Sequence, residues 1–207
     1  MNYNFIEIGT SDFQTEIQKK NKHIGISIDP IQYYIDNLPN KYGCIKKCLA
    51  ISNTIGFCDC YHIPTHLIQQ HKLSKWLSGC NSINNYHPTA LKQILKKGLD
   101  PNLLFTKTKV RMTTLYSLMI EENVKSINYL KIDTEGHDYI IINKFLQDIV
   151  ENDSYKLLPM KIKFECNSLT DTNEVDKTIN ELESFGFEIY TKNKTDCIMI
   201  RQLIVNI

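Results

Sequence analysis

The sequence predicts an open α/β fold: a mostly parallel sheet with helices between the strands and an antiparallel hairpin at the C-terminal end. Three observations carry this. Short apolar runs alternate with segments of helical spacing, the signature of strand–helix–strand units. Several runs stop abruptly at polar residues, as at Asp29 and Asp133, which places polar groups at strand carboxyl ends. The last two runs, residues 186–190 and 197–204, are joined by residues 191–196 alone. A parallel crossover needs a dozen or more residues, so that connection permits only a hairpin.

Residues 4–9 form a buried-strand run ending at Gly9, and a helix is expected over 13–20, with Ser11 or Asp12 at its N-cap. Residues 23–28 give the second strand, closed by Asp29-Pro30, and 31–37 a short helix. Residues 47–51 read as the third strand, ending at Ser52-Asn53. Residues 56–62 alternate with period two, as a half-exposed strand or hairpin arm does. From 63 to 109 the pattern loosens into a long loop or insert on the substrate side, with a helix over 89–97 and a short extended piece over 107–111. Within it, residues 76–89 are rich in turn formers and side-chain hydrogen bonders; a loop this long in a compact chain is usually functional or disordered, and its single Trp and Asn/Ser/His mix favour the functional reading. A helix over 113–122 leads to the strand 129–132. Beyond it come a helix over 139–150, a strand over 159–166 and a helix over 173–185. With no repeat, low-complexity tract or linker, 1–207 is expected to be a single domain.

Composition excludes several classes. Lys+Arg 24 against Asp+Glu 23 leaves no global field to draw the chain to nucleic acid. No apolar run approaches the roughly 20 residues of a membrane helix. Seven cysteines without regular spacing do not form a disulfide framework and suit a reducing interior. The expectation is a cytoplasmic protein with a small-molecule partner, no nucleic acid and no membrane.

Parallel connections place the ends of four strands along one sheet edge: Glu7 and Gly9, Asp29, Ser52 and Asn53, Asp133 and Glu135. Asp29 lies 20 residues beyond Gly9, the spacing at which an acid accepts hydrogen bonds from a nucleoside ribose. The turn after Gly9 has no second or third glycine, and Asp12 in it would repel phosphate. These residues favour an adenosine ligand with a cationic centre over a dinucleotide.

The runs Phe5-Ile-Glu-Ile-Gly-Thr-Ser-Asp-Phe13, Ile28-Asp-Pro30 and Tyr129-Leu-Lys-Ile-Asp-Thr-Glu-Gly-His-Asp138 resemble FkbM-type S-adenosylmethionine-dependent methyltransferases. The family's leucine-lysine-isoleucine-aspartate-x-glutamate-glycine run is matched at residues 130–136, and Thr114-Leu115 follows its layout. The first turn departs from the family's alanine-asparagine-x-glycine, reading Thr10-Ser11-Asp12-Phe13. The resemblance implies a Rossmann-like class I methyltransferase: seven strands, the last reversed, helices on both faces and S-adenosylmethionine over the strand ends. It implies that Glu7 and Gly9, with Thr10 and Ser11, frame the methionine part, and that Asp29 holds the ribose. Ser52 or Asn53 then borders the adenine, and Asp133 and Glu135 face the methionine amine or the substrate. It also implies O-methylation of a small-molecule or sugar hydroxyl.

Methyl transfer to a hydroxyl needs a base. His137, just past Asp133 and Glu135, is the first candidate and His87 on the long loop the second, since an imidazole titrates near neutrality. Glu165 at its strand end either reaches the site or caps the following segment. Cys58-x-Cys60-x-His62-x3-His66 invites a zinc reading. However, Cys-x-Cys lacks the usual spacer and strands bury cysteines as small hydrophobes, so no metal is expected. The competing functions are a nicotinamide-dependent oxidoreductase, which the single-glycine turn opposes, and a binding module that keeps the fold without the reaction.

Overall fold

The computed structural model describes residues 1–11, 15–19 and 24–202. Strand Asn2–Ile8 (β1) carries apolar residues toward both of its faces, which only a strand covered on both sides can bury. Ile6 and Ile8 enter the larger core, while Phe5 packs on the opposite face with Ile17, Ile35 and Leu38. Strand Gly25–Asp29 (β2) is buried along its whole length and pairs parallel with β1. After the short helix Gln32–Asn37 (α1), strand Cys44–Cys48 (β3) pairs parallel with β2.

The chain then leaves this sheet. Past Leu49, Ala50–Ile51 (β4) joins a second sheet with Gly56–His62 (β5), Ser82–Ile83 (β6) and Thr106–Thr113 (β7), in the order β4-β7-β5-β6. β5 runs antiparallel to both β6 and β7, and β4 runs parallel to β7. Helices Thr65–Gln70 (α2), Pro88–Lys96 (α3) and Pro101–Leu104 (α4) and a 3-10 turn, Lys75–Gly79, lie between these strands. Ile63, Ile68, Leu77, Ala90, Ile94 and Leu104 form an apolar cluster of their own there.

Helix Leu115–Glu121 (α5) is capped by Thr114, whose hydroxyl accepts from the Ser117 N–H. It leads back into the first sheet through Ser126–Ile132 (β8), parallel to β1, with Lys131 opposite Glu7. Helix Asp138–Glu151 (α6), strand Lys161–Glu165 (β9), helix Thr172–Ser184 (α7) and strands Phe187–Lys192 (β10) and Asp196–Arg201 (β11) complete the chain. The seven strands lie in the order β10-β11-β9-β8-β1-β2-β3. β11 is antiparallel to both its neighbours, and the other pairs are parallel. α5, α6 and α7 cover one face through Leu118, Phe145, Ile149 and Ile179, and α1 covers part of the other through Ile35. The expected mostly parallel seven-stranded sheet, its C-terminal hairpin and its reversed last strand are all present.

Two expectations are corrected. The run 47–51 is not one strand: its first half ends β3 and its second half is β4, because the chain turns at Leu49 from one sheet to the other. In the stretch 63–109 the expected helix over 89–97 and extended piece over 107–111 are present as α3 and β7, but α2, the 3-10 turn, β6 and α4 stand where loop was expected, each too short to show periodicity over several turns. The expected helix over 13–20 falls partly on residues 12–14 and 20, which lie outside the described residues, as do residue 23 and residues 203–204 of the expected strands. Within them, Glu16–Gln18 form a single 3-10 turn.

Candidate functional site

The carboxyl ends of β1, β2 and β8 meet at one cavity of about 190 Å³. Gly9 sets the geometry of its floor. It sits at φ +80°, a left-handed conformation, and a Cβ there would lie 1.8 Å from the Asp133 carbonyl oxygen. Only glycine allows the ends of β1 and β8 to approach this closely. Hydrogen bonds from the Gly9 N–H to the Ile28 carbonyl and from the Asp133 N–H to the Ile8 carbonyl close the edge on both sides.

Asp29 ends β2 with 1% of its surface exposed. Its Oδ2 accepts from the Thr10 N–H (3.0 Å), the Ser11 N–H (2.8 Å) and the Thr10 hydroxyl (3.4 Å), and its Oδ1 accepts from the Ile31 N–H (2.9 Å). One carboxylate thus ties the turn after β1 to the turn after β2. Burial pushes its pKa up to about 6, against the pull of those hydrogen bonds. Thr10 is buried, and Ser11, at φ +47°, lines the cavity. Pro30, Leu49, Ala50 and Ile51 give the adjoining wall an apolar surface.

The other wall is the loop between β8 and α6. Asp133, Glu135 and His137 line it. The Asp133 side chain is 39% exposed, and its nearest cation, Lys131, stands 3.9 Å away. Burial pushes the Asp133 carboxyl above its ordinary range and Lys131 pulls it down. Asp138 holds this loop. Its Oδ1 accepts from the Thr134 N–H (2.9 Å) and the Thr134 hydroxyl, and its Oδ2 accepts from the Glu165 N–H (2.7 Å).

Glu7 is placed differently from Gly9. It faces away from the cavity lining, fully buried, and accepts from Lys131 Nζ (2.9 Å) and the Glu16 N–H (2.9 Å). The parallel register that sets Glu7 opposite Lys131 produces this ion pair. Ser52 and Asn53 are also outside the lining, but Ser52 Oγ lies 2.9 Å from His137 Nε2 and 3.3 Å from Asn53 Oδ1. Burial lowers the His137 pKa, which favours its neutral ring.

His87 is 2% exposed and caps α3: its Nδ1 accepts from the Ala90 N–H (3.3 Å). That leaves the ring hydrogen on Nε2, which donates to Glu135 Oε2 (3.0 Å). Both ring nitrogens are therefore engaged in holding structure, and His87 is not in the cavity lining. Glu165 ends β9 beside the 133–138 loop. Burial and the carboxyls of Asp138, Asp133 and Glu135 push its pKa up to about 9.

The Cys58, Cys60, His62, His66 group does not converge. Cys58 and Cys60 are buried with Tyr34, Ala50 and Val110, whereas His62 and His66 line a separate hollow with Tyr33 and Tyr34. Two contributors escaped the sequence reading. Asn81 lines the cavity from the second sheet's side, and Asp138 acts as the clamp of the loop. Asn81 falls in the polar stretch 76–89 and Asp138 closes the motif-bearing run, so both had a signal, but only the fold shows what they touch.

No curated protein and no solved structure matches the chain. The family model of the methyltransferase FkbM domain matches residues 7–189, which take in the end of β1, all of β2, β3, β8 and β9, the start of β10 and the whole second sheet. The chain belongs to the FkbM methyltransferase domain family.

Proposed function

We propose that the protein transfers a methyl group from S-adenosylmethionine to a hydroxyl of a small-molecule or sugar acceptor. One observation carries the reading: the Gly9 turn, Asp29 and the 133–137 loop border a single cavity at the carboxyl edge of the parallel strands. The lining suits this cofactor. Asp29, Asp133 and Glu135 contribute carboxylates, and no Lys or Arg is among the described residues that line the cavity. That charge favours a sulfonium and an ammonium and disfavours the pyrophosphate of a nicotinamide dinucleotide. Pro30, Leu49, Ala50 and Ile51 offer the apolar surface that an adenine needs. The Thr10 hydroxyl contact on Asp29 is its longest, and a ribose hydroxyl replaces it at least cost.

When bound, the cofactor supplies an electrophilic methyl carbon. The protein's own residues align the acceptor and take its proton. His137 is proposed as the base. Its Nε2–H donates to Ser52 Oγ, whose hydroxyl donates on to Asn53 Oδ1, and this chain leaves Nδ1 as the acceptor of the substrate proton. Asp133 orients the hydroxyl, and His87 positions Glu135. The cavity is smaller than the roughly 300–1,000 Å³ of pockets that bury most of a drug-sized ligand. The acceptor therefore enters at the mouth, beside Gly79, Asn81 and the β6 residues Ser82 and Ile83. On this reading residues 50–113 form the acceptor-side cover of a single domain.

The test is calorimetry with S-adenosylhomocysteine, followed by a pH–rate profile once an acceptor is found. Wild type is expected to bind the cofactor product. Its activity is expected to fall on the acid side below the ordinary imidazole value of about 6.5, because burial favours the neutral ring. His137→Gln should keep that binding and lose on the order of 10²–10⁴ in kcat. Absence of cofactor binding sinks the whole reading; an unchanged profile in His137→Gln sinks only the assignment of the base.

A further inference from the structure

Cys80, His87 and Glu135 reach one point from three parts of the chain. Cys80 ends the 3-10 turn, His87 opens α3, and Glu135 sits at φ +56° in the loop after β8. Cys80 is 3% exposed and His87 2%. The Cys80 Sγ, a His87 ring nitrogen and a Glu135 carboxylate oxygen all lie within 4.8 Å of one another. We propose that these three side chains bind a divalent cation of the zinc type.

The donor set decides the cation class. Zinc accepts thiolate, imidazole and carboxylate together, at about 2.0–2.3 Å, in a tetrahedron. Magnesium and calcium take oxygen ligands and leave thiolates aside. His87 Nε2 and Glu135 Oε2 are already 3.0 Å apart, close to the edge of such a tetrahedron, so ligation asks for small movements. A second observation points the same way. Among the described residues Glu165 Oε2 is buried with no hydrogen-bond partner, and the Glu165 carboxyl lies beside both Cys80 and Glu135. Three protein ligands leave a fourth position open, and the Glu165 carboxyl is placed to hydrogen-bond a water there.

The proton balance follows from the hydrogen bonds. Cys80 must lose its thiol proton, which leaves to solvent as the sulfur–metal bond forms. The His87 proton moves from Nε2 to Nδ1, so the ring releases none, and the long Ala90 cap bond is given up. A single cap bond is a small loss beside ligation of a zinc-type ion. The ion would join residues 80 and 87 of the second sheet's connections to Glu135 in the cavity wall. It would thereby fix the cover against the loop that carries Asp133 and His137.

The full chain, stripped with a chelator and free of cofactor and acceptor, is titrated with zinc and with cobalt. One ion is expected to bind. Cobalt should show thiolate-to-metal charge transfer, and the heat should vary with buffer as release of one proton requires. Cys80→Ser and Glu135→Gln should each weaken binding at least tenfold, while Cys48→Ser, at an exposed thiol, should not. Circular dichroism checks the fold of each variant, and if Cys80→Ser does not fold, Glu135→Gln decides. Binding without a thiolate band, unchanged affinity in Glu135→Gln, or loss of affinity in His66→Ala instead would overturn the proposal. None of these outcomes depends on methyl transfer.

Discussion

Asp29 and Asp133 end the two strands that flank β1, and both face the same cavity, yet their surroundings differ. Asp29 is enclosed, and four donor contacts fill its two oxygens. The Asp133 side chain is 39% exposed, and its nearest cation serves Glu7 at 2.9 Å before it serves Asp133 at 3.9 Å. A carboxylate offers about four acceptor sites. Asp29 uses three on the backbone of Thr10, Ser11 and Ile31 and the fourth, at longest range, on the Thr10 hydroxyl, whereas Asp133 accepts no hydrogen bond from the described residues. The same residue type at equivalent strand ends is thus a fastener in one place and a presented group in the other.

Replacing the fastener should have the largest effect. Asp29→Asn turns an amide toward N–H groups that now meet a carboxylate, leaving buried donors unpaired at about 1–3 kcal/mol each. A loss of about 3 kcal/mol is expected, which for a chain of this size lowers Tm by roughly 6–12 °C. Thermal unfolding followed by circular dichroism measures it. A shift of less than about 2 °C would show that water replaces those bonds freely, and the contrast with Asp133 would collapse.

Asp133→Asn should instead leave stability within about 0.5 kcal/mol, as substitutions away from such networks do. Its effect belongs in turnover: kcat/KM is expected to fall roughly tenfold to hundredfold, or about 1.4–2.7 kcal/mol of transition-state stabilisation. Equal stability losses in the two variants would mean that Asp133 is also a structural clamp.

How much of this was legible follows the range of the interactions involved. β1, β2, β8 and β9, and the terminal hairpin, were readable because each is a local run with local stops, and the motif at 130–136 marked the edge that borders the cavity. The second sheet was not, because β4 and β6 hold two residues each and owe their existence to distant partners: Ala50 to Met112, and Ile83 to Cys60. Spacing placed Glu7 at the site, but a strand's alternation turned it to the face opposite Ile6 and Ile8, against Lys131. His87 carried the right chemistry for a base. Only its position at the first turn of α3, with Glu135 opposite, shows that both nitrogens are taken.

The smallest effect tests whether fastening by buried acids is general here. Asp138 resembles Asp29: it is 1% exposed, accepts two backbone N–H bonds, and burial pushes it from 3.8 up to about 6. Between those two pH values the folded chain keeps a proton that the unfolded chain has released. Its contribution to stability is therefore present below about pH 4 and is lost as pH rises through about 6. Asp138→Asn cannot titrate, so the stability gap between wild type and variant should be widest near pH 4. It should narrow toward pH 7 by on the order of 1 kcal/mol or more, since each unit of displacement is about 1.4 kcal/mol. Urea midpoints at pH 4, 5, 6 and 7 give the gap directly. A gap that widens with rising pH would mean that the folded chain prefers the carboxylate, so that the N–H donors of Thr134 and Glu165 outweigh burial. Asp138, and Asp29 with it, would then hold their loops by charge rather than in spite of it.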